Sequence, residues 1–229
     1  MNNAAKYTLS LRNRSGKFVR FTIFQTYGEV ADVTVKPLPL AWIVGSLAPG
    51  GKEGQSVSEM SWKTGRNVSL INSHHIGAEM FSTNSVVIPV GVTAENGYAV
   101  AYMGDFPFGA PAFVGSVIDG EKGFFLIQSD DTIPPFARQH EENCFLKIGI
   151  SMAGRQVSVT DLHPETHYRF SLEPVYRIVS GAFFPGQIIG DQAAEKSYRI
   201  DFGQELDKTI TIEEDGSFAD DKKELLNQR

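Results

Sequence analysis

The first clear alternation of apolar and polar positions covers residues 7–25 and predicts two β-strands separated by a turn. Tyr7, Leu9 and Leu11 share one face of the first run, because successive side chains of a strand point to opposite sides. The second run alternates in the same way but also carries Phe18 and Phe24 on the face of Arg20 and Thr22. We therefore predict a β-hairpin whose second strand is covered on both sides.

Similar runs recur along the chain and are separated by turns rich in Gly, Pro and Asn. We expect residues 40–47 and 56–62 to form a second hairpin. The Asn-Gly pair at residues 96–97 predicts another hairpin turn. Pro89 lies in the run 85–93 and predicts an edge or bulged strand, because proline has no N–H to donate. Further strand pairs are expected at residues 113–118 with 123–128, 143–152 with 156–160, and 168–172 with 175–183.

The predicted fold class is all-β: an antiparallel β-sandwich with many hairpins and little helix. No segment before residue 212 keeps an apolar period of 3.6 residues over three turns. The 16 Phe and 22 Gly residues suit short strands joined by tight turns. We expect residues 1–212 to form a single domain. The remaining residues, 213–229, are acidic and offer little to bury, so we expect a frayed or disordered tail.

Charge and composition exclude several classes of partner. The formal net charge is −6, and no cluster of five Lys or Arg residues interrupts it, so we expect no nucleic-acid partner. No run of eighteen apolar residues predicts a membrane span, and the N-terminus lacks a signal-peptide core. Cys144 is the single cysteine, which suits a reducing compartment. We expect a soluble, cytoplasmic protein by default, and the sequence leaves non-classical export open.

The motif Gly-Ile-Ser-Met-Ala at residues 149–153 resembles a nucleophile elbow. An elbow needs a helix after the serine, whereas residues 155–160 have a strand-like sequence. Ser151 is therefore expected to lie in a hairpin, and we predict no catalytic residue.

Metal and cofactor motifs are similarly weak. His163 and His167 are four residues apart, but Pro164 between them suits a loop or a first helical turn better than a zinc-binding helix. Asp130 and Asp131 lack the regular spacing of a calcium loop. Phosphate-binding glycine loops and paired cysteines are absent from the sequence. We predict neither a metal nor a cofactor.

The loop at residues 105–111 is the most unusual in the sequence, because it places two phenylalanines among Gly and Pro residues. Phe106 and Phe108 would point the same way in an extended segment and form an apolar platform, with Asp105 beside it as a hydrogen-bond acceptor. We predict that these three residues bind a small molecule, a carbohydrate or a protein. The alternative is that both rings fold back and close one end of the sandwich.

A further set of residues connects the chain to a known family. The residues are Asn13, Ser15, Gly16, Phe24, Gln25, Trp42, Pro49, Gly50 and Trp62. On these positions the chain resembles the RhiA-like, rhizosphere-expressed β-sandwich proteins. The resemblance implies an all-β fold and a link to bacterial association with the surroundings or a host. It supplies no catalytic residue to carry over.

Two functional hypotheses follow. The first is a non-enzymatic β-sandwich protein that acts by binding or by surface or host association, and oligomer formation is compatible with it. The alternative is a hydrolase-type enzyme with an active site on its loops that the sequence does not reveal. Two or more titratable side chains that converge in a pocket would favour the enzyme.

Overall fold

The computed structural model describes residues 5–26, 37–50, 56–76, 79–90, 97–116, 123–171 and 173–221. Within these ranges the chain forms seventeen strands and two short helices, which confirms the predicted all-β class. Nothing helical in these ranges is long and apolar enough to cross a membrane. The elements are β1 Lys6–Asn13, β2 Val19–Thr26, β3 Leu38–Pro39, β4 Ile43–Leu47, β5 Ser56–Lys63, β6 Arg66–Ile76, β7 Glu79–Val90, β8 Gly97–Met103, β9 Ala110–Ser116, β10 Phe124–Ser129, α1 Phe136–Glu141, β11 Cys144–Met152, β12 Arg155–Asp161, β13 His167–Ser171, β14 Val175–Ser180, α2 Asp191–Glu195, β15 Tyr198–Ile200, β16 Asp207–Ile212 and β17 Phe218–Asp220.

These strands pair into four sheets. Sheet 1 has the order β17-β16-β1-β5, sheet 2 the order β15-β14-β2-β4, sheet 3 the order β3-β12-β11-β6-β7, and sheet 4 the order β13-β10-β8-β9. Among the described pairs, β1 with β16 and β8 with β10 run parallel, and the others run antiparallel. One cluster of buried side chains draws on all four sheets, for example through Leu9, Ile23, Ile148 and Phe125. The four sheets therefore share one interior.

The first two strands form as predicted, but the predicted hairpin between them is wrong. β1 pairs with β5 and β16, whereas β2 pairs with β4 and β14, so the turn carries the chain from sheet 1 to sheet 2. This connection is a β-arch. Residues 21–25 of β2 are all buried, which confirms that this strand is covered on both sides. A strand with apolar side chains on both faces buries more apolar surface at an interior position of a sheet than at its edge.

The second predicted hairpin is also a β-arch, because β4 lies in sheet 2 and β5 lies in sheet 1. The two arches are bonded to each other. The buried Asn13 side chain donates from Nδ2 to the Lys17 carbonyl at 2.9 Å and to the Ala48 carbonyl at 2.7 Å. The Gly50 N–H donates to the Ser15 carbonyl at 3.1 Å. Turn-forming residues thus join two arches side by side.

Of the other predicted strand pairs, some form and some do not. β11 and β12 form the predicted hairpin, and β7 is an edge strand in sheet 3, as Pro89 indicated. The hairpin predicted from the Asn-Gly pair is wrong, because β7 lies in sheet 3 and β8 in sheet 4; residue 96 itself lies outside the described residues. β9 and β10 lie on opposite sides of β8, and β13 and β14 lie in different sheets, so neither pair forms the hairpin predicted for it.

The C-terminal boundary also differs from the prediction. Residues 213–221 do not fray, because β17 pairs antiparallel with β16 and extends sheet 1. Asp221 contributes a carboxylate that contacts the guanidinium of Arg12 at 2.5 Å and that of Arg14 at 3.6 Å. Asp221 thus finds its cationic partners on the first strand and the turn after it, a long-range match that local composition does not show. Residues 222–229 lie outside the described residues.

Candidate functional site

Three segments meet at one end of the molecule, which we call the loop end: residues 104–109, residues 130–142 with α1, and residues 162–166. The Tyr102 N–H donates to Thr132 Oγ1 at 2.7 Å, which joins the first segment's base to the second. The Glu165 N–H donates to the Asp130 carbonyl at 3.1 Å, which joins the third to the second. The structure therefore brings together three motifs that the sequence analysis considered separately.

The loop 104–109 is a compact turn that connects β8 to β9. The Asp105 carbonyl accepts hydrogen bonds from the N–H groups of Phe108 and Gly109, each at 2.8 Å. Gly104 has φ +91°, a conformation that glycine adopts without steric cost. The Phe106–Pro107 peptide bond is cis. The predicted extended geometry is wrong, because the hydrogen bonds from Phe108 and Gly109 to the Asp105 carbonyl fold the backbone into a turn.

The two rings consequently have different surroundings. Phe106 is half-buried and packs against the main core, with its ring edge-on to Tyr102 at 5.4 Å between centroids. The guanidinium carbon of Arg138 lies 5.6 Å from the Phe106 ring centroid, within the range of a cation–π contact. Phe108 is 93% exposed. The shared platform is thus absent, and the alternative in which both rings fold inward is wrong for Phe108.

The base of the loop is held from sheet 3. Asn72 Nδ2 donates to the Gly109 carbonyl at 3.3 Å, and Asn72 Oδ1 accepts from the Cys144 thiol at 3.0 Å. Burial raises the pKa of Cys144 to about 11, so this thiol keeps the proton that it donates. Burial likewise raises the pKa of Tyr102 to about 12. A neutral, buried layer therefore supports the exposed loop.

The acidic pair at residues 130–131 has a structural role through its first member. Asp130 Oδ1 accepts from the Thr132 N–H at 3.0 Å and from Thr132 Oγ1 at 2.5 Å. This is an Asx-turn, and Thr132 in turn accepts from Tyr102 as described above. Asp131 is exposed. The Asp130 carboxylate is thus occupied in shaping the loop end.

The two histidines of the 163–167 motif have different surroundings. The His163 N–H donates to Tyr168 Oη at 2.6 Å, and its ring lies 5.8 Å from that of Phe136. His167 is exposed at the start of β13. In the described part of the chain, no three His, Cys, Asp or Glu side chains are grouped so as to hold a metal ion. The observed contacts of His163 are those of a packed loop residue.

No pattern in the sequence predicts α1, which adds an aromatic and cationic surface to the loop end. Gln139 anchors this helix because its buried side chain donates to the carbonyls of Pro134 and Leu162 at 2.8 and 3.0 Å. The Phe136 ring centroid lies 4.4 Å from that of His140, and the Phe136 side chain is 40% exposed. Arg138 extends from the helix to Phe106. The paired prolines before α1 are compatible with a helix start, but six residues are too few for periodicity to show.

The serine of the elbow-like motif is not part of the loop end. Ser151 lies near the end of β11, and after a two-residue turn the chain continues directly into β12. The helix that a nucleophile elbow requires is therefore replaced by a strand.

Comparison with known proteins supplies a family but no individual relative. The family model described as RhiA matches residues 4–220, which include every segment of the loop end. No curated protein and no solved structure matches the chain. Because the match extends over nearly the whole described fold, from before β1 to the end of β17, the chain belongs to the RhiA family.

Proposed function

We propose that this chain is a non-enzymatic β-sandwich protein that binds another protein through the loop end, with Phe108 inserted into the partner. The observation that carries the proposal is the 93% exposure of Phe108 on a loop whose backbone is internally hydrogen-bonded. Family membership, through the resemblance described above, supports a role in association with a host or the surroundings.

The two phenylalanines of the loop contribute to binding in different ways. Phe106 packs against the core and fixes the loop, so little conformational freedom remains to be lost when Phe108 is buried by a partner. Burying a phenylalanine side chain contributes on the order of 2–3 kcal/mol. A loop that leaves this ring in water does not gain that free energy in the free protein. The free energy of burial is gained when a partner covers the ring.

The geometry favours insertion of a single ring over stacking on a flat ligand. A stacking platform for a sugar needs rings that share one face, and the turn at Pro107 separates the two rings. Arg138 and the half-exposed Phe136 lie on the same end of the molecule. Aromatic and arginine side chains are the types most enriched among residues that dominate protein–protein binding energy. The loop end therefore suits a protein surface with a small apolar pocket.

The first test immobilises the unmodified protein, Phe108→Ser and Phe18→Ser, and compares the proteins that each captures from an extract of the producing cells. We expect Phe108→Ser to lower the capture of the partner at least about tenfold, because central interface aromatics typically contribute 2 kcal/mol or more. Its melting temperature should change by less than about 2 °C, because exposed positions rarely affect stability by more than 0.5 kcal/mol. Phe108 is the informative position, since substitution of the half-buried Phe106 would also lower stability.

The matched control is Phe18→Ser, which removes a ring that is 57% exposed and follows the turn of the first arch. This variant should capture the same proteins as the unmodified chain. If no captured protein distinguishes Phe108→Ser from Phe18→Ser, Phe108 is not the contact and the proposal is wrong.

A further inference from the structure

A cavity of about 510 Å³ opens on a different part of the molecule from the loop end. Its volume lies within the range of small-molecule sites, roughly 300–1,000 Å³. It is formed where the start of β1, the β5–β6 connection, the start of β14 and the segment after β15 come together. Its lining includes Tyr7, Arg66, Glu173, Arg199, Asp201 and Phe202.

Aromatic rings form one wall of this cavity. Tyr7 is half-buried and is the most exposed ring of this wall, because Tyr176 and Phe202 are only 6% and 7% exposed. The Tyr7 ring centroid lies 4.4 Å from that of Phe202 and 6.0 Å from that of Tyr176. Behind them, the Trp62 ring centroid lies 5.4 Å from that of Tyr176 and 5.8 Å from that of Phe202. These contacts fix the rings against the core, so the wall is rigid and apolar before any ligand arrives.

Charged side chains of both signs also line the cavity. Arg199 and Arg66 bring guanidinium groups to the lining, and Glu173 and Asp201 bring carboxylates. A guanidinium can donate hydrogen bonds to a ligand, and a carboxylate can accept them. The two cations and two anions balance, so the described lining has no net charge at neutral pH. Asp201 is held in place because its Oδ1 accepts from the Gly203 N–H at 2.9 Å.

We propose that this cavity binds a neutral sugar. A sugar ring has an apolar face that can stack on an aromatic wall, and hydroxyl groups that both donate and accept hydrogen bonds. Carboxylates and guanidinium groups around an aromatic surface match those three features. A ligand with a net charge would gain attraction from one pair of charged groups and meet repulsion from the other.

The inference does not depend on the proposed partner of the loop end, because the two sites have no residue in common. A sugar-binding defect should leave protein capture by Phe108 intact. Failure of either proposal would therefore leave the other standing.

The experiment is calorimetric titration of the full-length protein with D-glucose, D-galactose, D-mannose, L-rhamnose, L-arabinose and sucrose. D-glucuronate and D-glucosamine serve as charged comparison ligands. Tryptophan fluorescence is recorded in parallel, because Trp42 and Trp62 are the two tryptophans of the chain and the rings of both pack against Tyr176 of the cavity wall. We expect one site per chain for at least one neutral sugar, with a Kd below about 1 mM, a change in tryptophan emission, and weaker binding of both charged ligands.

Two substitutions assign the site. Arg199→Met and Glu173→Gln each remove one charged hydrogen-bonding group at exposed positions, and each should weaken the sugar about tenfold or more. Arg155→Met removes an exposed arginine at the β11–β12 turn that does not line the cavity, and it should leave the Kd unchanged. The proposal is overturned if no neutral sugar of the panel binds, if a charged ligand binds as tightly as the best neutral one, or if Arg155→Met weakens binding as much as Arg199→Met.

Discussion

Gly50→Ala is expected to lower the free energy of unfolding by about 3 kcal/mol or more, because overfilling a closely packed site costs that order of energy. A methyl group at Gly50 would lie 1.8 Å from the Asn13 carbonyl oxygen and 2.8 Å from its carbonyl carbon. Neither backbone can move aside freely, since the Gly50 N–H is bonded to Ser15 and the Asn13 side chain to Ala48 and Lys17. In a chain of this length the melting temperature should fall by roughly 10 °C.

Gly16→Ala is the matched control, because it places the same methyl group on the neighbouring arch where no atom lies within 4 Å. Its free energy of unfolding should stay within about 1 kcal/mol of the parent. Urea denaturation of the parent and both variants measures the two differences on one scale. Equal stability of Gly50→Ala and Gly16→Ala would show that the two arches do not pack together as described.

Gly109→Ala is expected to disturb the loop end as well as the fold. The added methyl group would lie 2.2 Å from the Met103 carbonyl oxygen and 2.7 Å from Tyr102 Cε1. The loop must move to relieve this overlap, and the hydrogen bond from Asn72 to the Gly109 carbonyl is lost or lengthened when it does. We expect a loss of about 2 kcal/mol in unfolding free energy and faster amide exchange at Phe108 and Gly109.

The control for this substitution is Gly115→Ala on β9, the strand that leaves the same loop. A methyl group at Gly115 meets no atom within 4 Å, so stability and amide exchange should match the parent. Partner capture should fall with Gly109→Ala and persist with Gly115→Ala. If Gly109→Ala exchanges its loop amides at the parental rate, the loop is not held by the close approach at its base.

The positions of most strands follow from the sequence, whereas their partners do not. The alternation of Leu9 and Leu11 and the continuous apolar content of β2 are local properties, and both strands form where the pattern predicts them. A Gly-rich or Asn-rich turn shows that the chain reverses, but it does not distinguish a hairpin within a sheet from an arch between sheets. That choice depends on contacts such as Asn13 with Ala48, which are 35 residues apart.

The loop end was predictable to a similar degree. Two phenylalanines among Gly and Pro residues identify an unusual loop, and the structure places that loop at an exposed turn between β8 and β9. Which ring turns inward is decided by Tyr102 and by Arg138 of α1, a helix too short to have a periodic pattern. The different roles of Phe106 and Phe108 therefore emerge only from the tertiary contacts.

The central claim is that Phe108 enters a partner, and site-specific photo-crosslinking tests it most directly. A photoreactive benzoyl-phenylalanine replaces Phe108 in one form of the protein and Phe18 in another, and both are irradiated in the same extract. We expect a crosslinked protein that is present with the probe at position 108, absent with the probe at position 18, and suppressed by excess unmodified protein but not by excess Phe108→Ser. The same crosslinked proteins at both positions, or competition by Phe108→Ser equal to that of the unmodified protein, would contradict it.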